Sequence, residues 1–165
     1  MNLALMTDRI ETERLVLFPY TQENLALFNS DLPAFEERYG VVYRGEELDH
    51  LLVGFLKKLE REIAEDLPHY LFFTEFLIVC RANDTIIGSI DYKYVPRGGV
   101  TELGYGLNPH FEGQGYMTEA LEAFLLAVQR TGAVQSVIIE RILENRIYCR
   151  IRDKYLVGGM NEQNL

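Results

Sequence analysis

The chain has 165 residues, 48% of them hydrophobic and 25% charged, a composition that supports one compact domain with its own core. Sixteen Lys and Arg against 25 Asp and Glu give a net charge of −9, which repels nucleic-acid phosphates and suits cationic partners. The two cysteines, Cys80 and Cys149, form neither a metal-ligand spacing nor a disulfide framework and point to free thiols in a reducing cytoplasm. A signal segment is not expected, because Asp8, Arg9 and Glu11 interrupt the apolar start, and no apolar run is long enough for a membrane span.

Residues 9–18 read as a first strand that Pro19 stops, since proline has no N–H to give a ladder. Thr21 then stands as an N-cap before a short helix running to about Asp31. From Glu46 to Asp66 apolar residues recur at spacings of three and four, which predicts a long amphipathic helix. Residues 71–81 and 85–94 are rich in β-branched and aromatic side chains and flank the turn Ala82-Asn83-Asp84, so they form a hairpin. Pro96-Arg97-Gly98-Gly99 turns into a third strand over residues 100–107, which Asn108-Pro109 ends. Gly113 and Gly115 lead into a helix closed by Gly132. Residues 134–140 make a short buried strand of central or parallel type, and residues 145–155 a weaker helix. The order predicts a single α+β domain with a mixed, mostly antiparallel sheet.

Chemistry concentrates where the third meander strand passes through a glycine-spaced loop into a helix N-terminus. Such a junction binds anions: the first helical N–H groups lack partners, the helix dipole is positive there, and glycine admits a phosphate close to the backbone. The segment has neither Gly-Lys-Ser/Thr nor a three-glycine dinucleotide spacing, and a tight strand-to-helix turn accounts for the glycines as well as a pyrophosphate site does. On the strand itself Glu102, Gly104 and Gly106 share one face, leaving backbone bare for a ligand. The break at Asn108-Pro109 is expected to free carbonyls and amides near Leu107.

Arg14-Leu-Val-Leu-Phe after Glu11-Thr-Glu, Ile87-Gly-Ser-Ile, Glu102-Leu-Gly-Tyr-Gly-Leu-Asn-Pro and Gly113-Gln-Gly-Tyr-Met-Thr-Glu-Ala-Leu resemble the GNAT superfamily of acetyl-CoA-dependent N-acetyltransferases. The branch resembled contains the ribosomal-protein N-terminal alanine and serine acetyltransferases, and the match runs in order over residues 9–145. The resemblance implies a GNAT-like sheet, splayed at its central strands, that moves an acetyl group from acetyl-CoA to a primary amine without a metal. The amine is a protein N-terminus or a small amine, and a homodimer stays open. It implies a cofactor site on Leu107, Asn108, Glu112, Gly113, Gln114, Gly115, Tyr116, Met117 and Thr118, with Asn145 before the last helix also on CoA. The amide of Leu107 or its neighbour would polarise the acetyl carbonyl.

Several residues depart from that pattern. Glu112 stands where Gln or Arg is common, Arg152 where a tyrosine often serves as general acid, and the final hairpin looks shortened. Glu102, the only acid on the glycine face, is the candidate base, and Tyr148 the candidate phenolic acid. A structural carboxylate explains Glu102 equally well. Cys149 is read as a passive thiol, His50 with Glu46 and Glu47 as a solvated helix face, and His69 as lacking a partner in sequence, so no metal site is expected. Tyr39, Tyr43, Tyr92 and Tyr94 are candidates to line an acceptor cleft. A non-catalytic acyl-CoA-binding module of the same fold is the alternative.

Overall fold

The computed structural model describes residues 9–45, 48–132 and 134–139. Its strands are β1 (Ile10–Glu11), β2 (Leu15–Pro19), β3 (Val42–Tyr43), β4 (Glu75–Cys80), β5 (Thr85–Tyr92), β6 (Val100–Leu107) and β7 (Ser136–Ile139). Its helices are α1 (Gln22–Ser30), α2 (Leu32–Tyr39), α3 (His50–Glu65) and α4 (Tyr116–Arg130). One seven-stranded sheet runs in the order β1-β2-β4-β5-β6-β7, with β3 parallel to β5 and β7 parallel to β6; the other pairs are antiparallel. This is the predicted mixed α+β class. The predicted helix over residues 145–155 lies outside the described residues.

The predicted first strand is two strands. Thr12 breaks it by closing a tight turn, its amide donating to the Leu15 carbonyl at 3.0 Å and its hydroxyl accepting from the Leu15 amide at 2.9 Å. Thr21 caps α1 as expected, in a reciprocal pair with Asn24. The sequence reading missed α2, which Asp31 caps and whose first turn takes Pro33; a proline there needs no N–H, so it opens a helix rather than ending one. Asp49 caps α3, which begins at His50, later than the periodicity suggested. Residues 67–72 form a 3-10 turn, so β4 starts only at Glu75.

Period-two alternation gives the sheet two faces, each covered by helices. One face buries Leu15, Leu17, Phe76, Ile78, Ile87, Ile90, Tyr92 and Leu103 against Met117, Leu121, Phe124 and Leu125 of α4. The other buries Val16, Leu77, Val79 and Ile86 against Leu25 and Phe28 of α1, Phe35 of α2, and Leu56, Leu59 and Ile63 of α3. A bulge where Ile78 pairs with Gly88 but Val79 with Ile86 leaves Ile87 as the extra residue on β5. Beside that bulge the lane next to β5 changes hands. β6 takes Gly88–Tyr92 and β3 takes Thr85 and Ile86, so the two strands meet end to end.

Candidate active site

The glycine loop has the predicted geometry. Gly113 (φ +73°) and Gly115 (φ +79°) adopt left-handed backbone that side chains disfavour, and open space surrounds the point where a Cβ at Gly113 would project. Gly115 is the N-cap of α4, with no side-chain cap, and the first helical bond runs from the Glu119 amide to the Gly115 carbonyl at 3.1 Å. The amides of Tyr116, Met117 and Thr118 therefore have no helical acceptor. These features fit a phosphate group of CoA, because the cradle is one a side chain would fill. Glu112 and Gln114 are exposed, the Glu112 amide donating to the Pro109 carbonyl at 3.3 Å and the Gln114 side chain to the His110 carbonyl at 3.2 Å. Met117 turns its side chain into the core, so only its backbone faces the loop.

Arg14 fixes this loop from the turn between β1 and β2. Its guanidinium pairs with Glu119 at 2.6 Å, donates to the Gln114 carbonyl at 3.0 Å and lies 4.5 Å from the centre of the Tyr116 ring. Glu119 also accepts from the Thr12 hydroxyl at 2.6 Å and the Arg14 amide at 3.0 Å. Partial burial opposes ionisation of Glu119, but these hydrogen bonds prevail and hold its carboxyl below the usual range. Sequence reading had quoted the Arg14 and Glu119 segments without pairing them.

At the other end of β6 the register decides which amide faces a ligand. The Asn108 amide donates to the Ile87 carbonyl at 2.7 Å, and the Lys93 amide to the Glu102 carbonyl at 2.8 Å. Both bonds mark Gly88–Leu107 and Tyr92–Leu103 as pairs that do not bond each other directly, so the Leu107 N–H points away from β5, toward the side where β7 pairs with Val100–Leu103. Of the amides near Leu107 that the sequence suggests are left free, that of Asn108 is bonded to β5, and that of Leu107 points away from it. Asn108 also spends its side chain, donating to the Arg44 carbonyl at 2.7 Å and accepting from the His110 amide at 3.0 Å, which ties the end of β6 to the end of β3.

On the sheet face away from α4, a cavity of about 410 Å³ opens beside this junction. Gly106, Leu107 and Asn108 form one wall; Tyr20, Phe28, Tyr43, Leu52, Leu56 and Leu77 form the others. Nothing lies within 4 Å of where a Cβ at Gly106 would project, so the β6 backbone is open there. By contrast, a Cβ on Gly88 would meet the Gly106 carbonyl at 2.2 Å, which keeps β5 and β6 in close approach beneath the cavity. Tyr43 thus lines this cavity, whereas Tyr39 stacks on Phe18 and Tyr92 packs between Phe72 and Phe124 in the core.

Glu75 enters this cavity from β4 and was not singled out from sequence. It shares the face with Leu77, pairs across the ladder with Asp91, and Asp91 in turn pairs with Gly104. Burial pushes its carboxyl up to about 7, with Asp91 adding to the rise and Lys93 opposing it. Tyr20 is held beside it by two bonds, from the Tyr20 amide to the Glu75 carbonyl at 2.8 Å and from the Thr74 hydroxyl to the Tyr20 carbonyl at 2.7 Å. Burial, then the charge of Glu75, raises the Tyr20 phenol well above its ordinary value.

Glu102 lies farther along the same face, next to Lys93 and paired with Ile138, and does not line the cavity. Four residues of extended strand separate it from Gly106, roughly 13 Å. Tyr148, Asn145 and Cys149 lie outside the described residues. Cys80 is free and buried, its thiol donating to the Tyr116 hydroxyl at 3.8 Å. His69 does have a partner, Asp66, at 2.9 Å. Among the described residues no three His, Cys, Asp or Glu side chains gather as a metal ion would need, and no helix is long and apolar enough to cross a membrane.

The sequence model of the acetyltransferase (GNAT) domain matches residues 14–154. The chain belongs to the GNAT acetyltransferase family. A GNAT domain transfers acetyl from acetyl-CoA to an amine, and that is the activity of this enzyme. No curated protein sequence matches the chain. Among solved structures, the fold is similar to the ribosomal-protein-S5-alanine acetyltransferase from Vibrio fischeri (TM-score 0.62, 16% identity, 89% of this chain and 81% of that one). It is also similar to the Salmonella typhimurium acetyltransferase that modifies the N-terminal serine of ribosomal protein L7/L12 (TM-score 0.55, 14% identity, 90% and 83%). A GNAT-family acetyltransferase from Bacillus anthracis gives a TM-score of 0.56 at 18% identity, covering 89% and 81%. At such identities the likeness speaks for the fold, and the family model for the chemistry.

Proposed function

We propose that this acetyltransferase acts on the α-amine of a peptide N-terminus. The observation that carries the proposal is the position of Leu107. Its amide points away from β5, between an uncapped α4 N-terminus on one side of the sheet and an open cavity on the other. Donor and acceptor can therefore approach one carbonyl-polarising N–H from opposite faces and react directly, with no acyl-enzyme stage. The mostly apolar cavity walls suit a single terminal amine followed by an uncharged side chain. The solved structures named above for terminal alanine and serine support the same acceptor class.

In this reading the loop from Glu112 through Gly113, Gln114, Gly115, Tyr116, Met117 and Thr118 holds the CoA pyrophosphate on backbone amides. Arg14 and Glu119 hold the loop in shape. Leu107 and Asn108 border the pantetheine path, and Asn145 adds a contact from the segment before the last helix. Acetyl-CoA supplies the activated thioester, and no metal is needed. Glu102, the acid that the sequence offers, lies outside the cavity and makes the outer part of the β6 face acidic, and Tyr148 serves as the proton donor to the departing thiolate. Two cysteines with neither a metal-ligand spacing nor a disulfide framework support a cytoplasmic setting for the reaction.

Calorimetry with acetyl-CoA, followed by a mass-spectrometric screen of peptides and small amines, tests the proposal. The expected result is binding together with acetylation of peptides at their termini. No binding at millimolar acetyl-CoA overturns it, and acetylation confined to small amines overturns the acceptor class.

A further inference from the structure

Glu75 is the one charged side chain, among the described residues, that lines the 410 Å³ cavity. It forms no hydrogen bond or ion pair with another described side chain, although it is half-buried on the sheet face that also carries Gly106. Leaving a carboxylate in such a place costs stability unless a cationic ligand compensates it. The groups around it are the phenols of Tyr20 and Tyr43, Asp91 across the ladder, and Lys93, whose ammonium pairs with Asp91 at 3.1 Å and lies over the Gly104 backbone. From α3 the facing residues are Leu52 and Leu56, which carry no charge.

We infer that Glu75 receives the acceptor's ammonium group and takes its proton, making this residue, rather than Glu102, which does not line the cavity, the first proton acceptor of the reaction. This deepens the function proposed above and rests on it. The ammonium enters over Gly106, between the apolar walls, and ion-pairs with the Glu75 carboxylate. One proton passes to a carboxylate oxygen, directly or through one water, and the neutral amine attacks the acetyl carbonyl polarised by the Leu107 amide. The N–C bond forms and the C–S bond breaks with its electron pair on sulfur. The thiolate takes its proton from the donor proposed above, Tyr148, and the second amine proton restores that donor, giving the acetamide and CoA thiol. Glu75 then returns its proton to solvent. A carboxyl that titrates at about 7 is matched to that cycle near neutral pH. A polyamine would set its further charges against Leu52, Leu56 and Phe28, so the cavity selects a lone amine.

The test compares the parent with E75Q and E102Q. Probes are acetyl-CoA, peptides beginning with Ala or Ser, their N-acetylated forms, and spermidine. For E75Q the acetyl-CoA affinity should stay within about twofold, because the phosphate loop is untouched. Its kcat/KM on the peptides should fall roughly 10- to 100-fold at pH 7, the gap narrowing above pH 8 where the α-amine is neutral. E102Q should change kcat/KM by less than about threefold. Two readouts need no turnover. The ¹³C resonance of the Glu75 carboxyl in the parent should titrate near neutrality, and E75Q should melt higher than the parent at pH 8, since it removes an uncompensated buried charge. An ordinary acidic titration of Glu75, parent-like turnover by E75Q at every pH, loss of acetyl-CoA binding by E75Q, or a full loss of turnover in E102Q alone would each overturn the assignment. A parent that binds no acetyl-CoA overturns the acetyl-transfer reading itself, a distinct outcome.

Discussion

The two sides of the site are built by different means. On the donor side, a nine-residue stretch from Asn108 to Tyr116 carries most of its own instructions, two glycines in left-handed backbone and an uncapped helix start, and takes from outside one arginine, Arg14, of the turn before β2. On the acceptor side no short stretch suffices. Glu75, Tyr20, Tyr43, Gly106 and Leu56 come from five separate elements or their edges, and their cavity exists because β6 hands its lane to β3 beside the β5 bulge. A local anion site tolerates a wide range of scaffolds. An amine site with a neutralising acid needs the whole sheet to hold its parts in register.

The comparison predicts that donor-side and acceptor-side changes separate in their effects. The largest expected effect is Gly115→Val, which places a β-branched residue at φ +79° on the loop proposed to hold the phosphate. Left-handed backbone costs such a residue about 1–2 kcal/mol, and any relaxation moves the amides. Acetyl-CoA affinity measured by calorimetry should fall about 100-fold or more; a loss under threefold would break the division drawn here. Gly106→Val is the acceptor-side counterpart. Valine suits a strand and meets open space, so the fold and acetyl-CoA binding should persist while peptide kcat/KM drops about tenfold, because the cavity is filled. Equal loss of acetyl-CoA binding would mean that the two sides are not separable.

A smaller effect is expected from Arg14→Ala, which removes the tie to Glu119, Gln114 and Tyr116 but none of the loop amides. Acetyl-CoA should bind about 3- to 10-fold more weakly with peptide KM unchanged, read by calorimetry and steady-state kinetics. The smallest change, and the one that sharpens the acceptor side, is Lys93→Ala. Lys93 lowers the Glu75 titration, so its loss raises it further. A base must be deprotonated to act, so the acidic limb of kcat/KM should move to higher pH by a few tenths, with activity reduced near pH 6.5 and unchanged near pH 8.5. The shift is small because the Lys93 side chain is 46% exposed and screened by solvent. A move in the opposite direction would exclude Glu75 as the group reporting in the profile.

Much of the donor side was legible in the sequence. The glycine spacing, the strand before it and the helix after it announce the loop, because φ > 0 and an N-terminal amide cluster are local properties of a few residues. The break at Asn108-Pro109 is legible in the sequence, but which nearby amide is bonded is not, since the Asn108 bond to Ile87, 21 positions away in the chain, depends on strand register. Glu75 escaped notice for a related reason. It reads as the polar first residue of an apolar strand, and nothing nearby in sequence says that Asp91, Tyr20 and an empty space above Gly106 surround it.

The sequence by itself determined the class of the fold, the α4 junction and the bounds of α1 and β6, because propensity, capping and period-two alternation act over a few neighbours. It also carried the family, through motifs confined to single loops and strands. The tertiary structure alone decided which acid faces the cavity and which amide points away from β5. Those depend on strand register, on a bulge at Ile87, and on desolvation by residues from α1 and α3, quantities that arise only when distant segments are packed together.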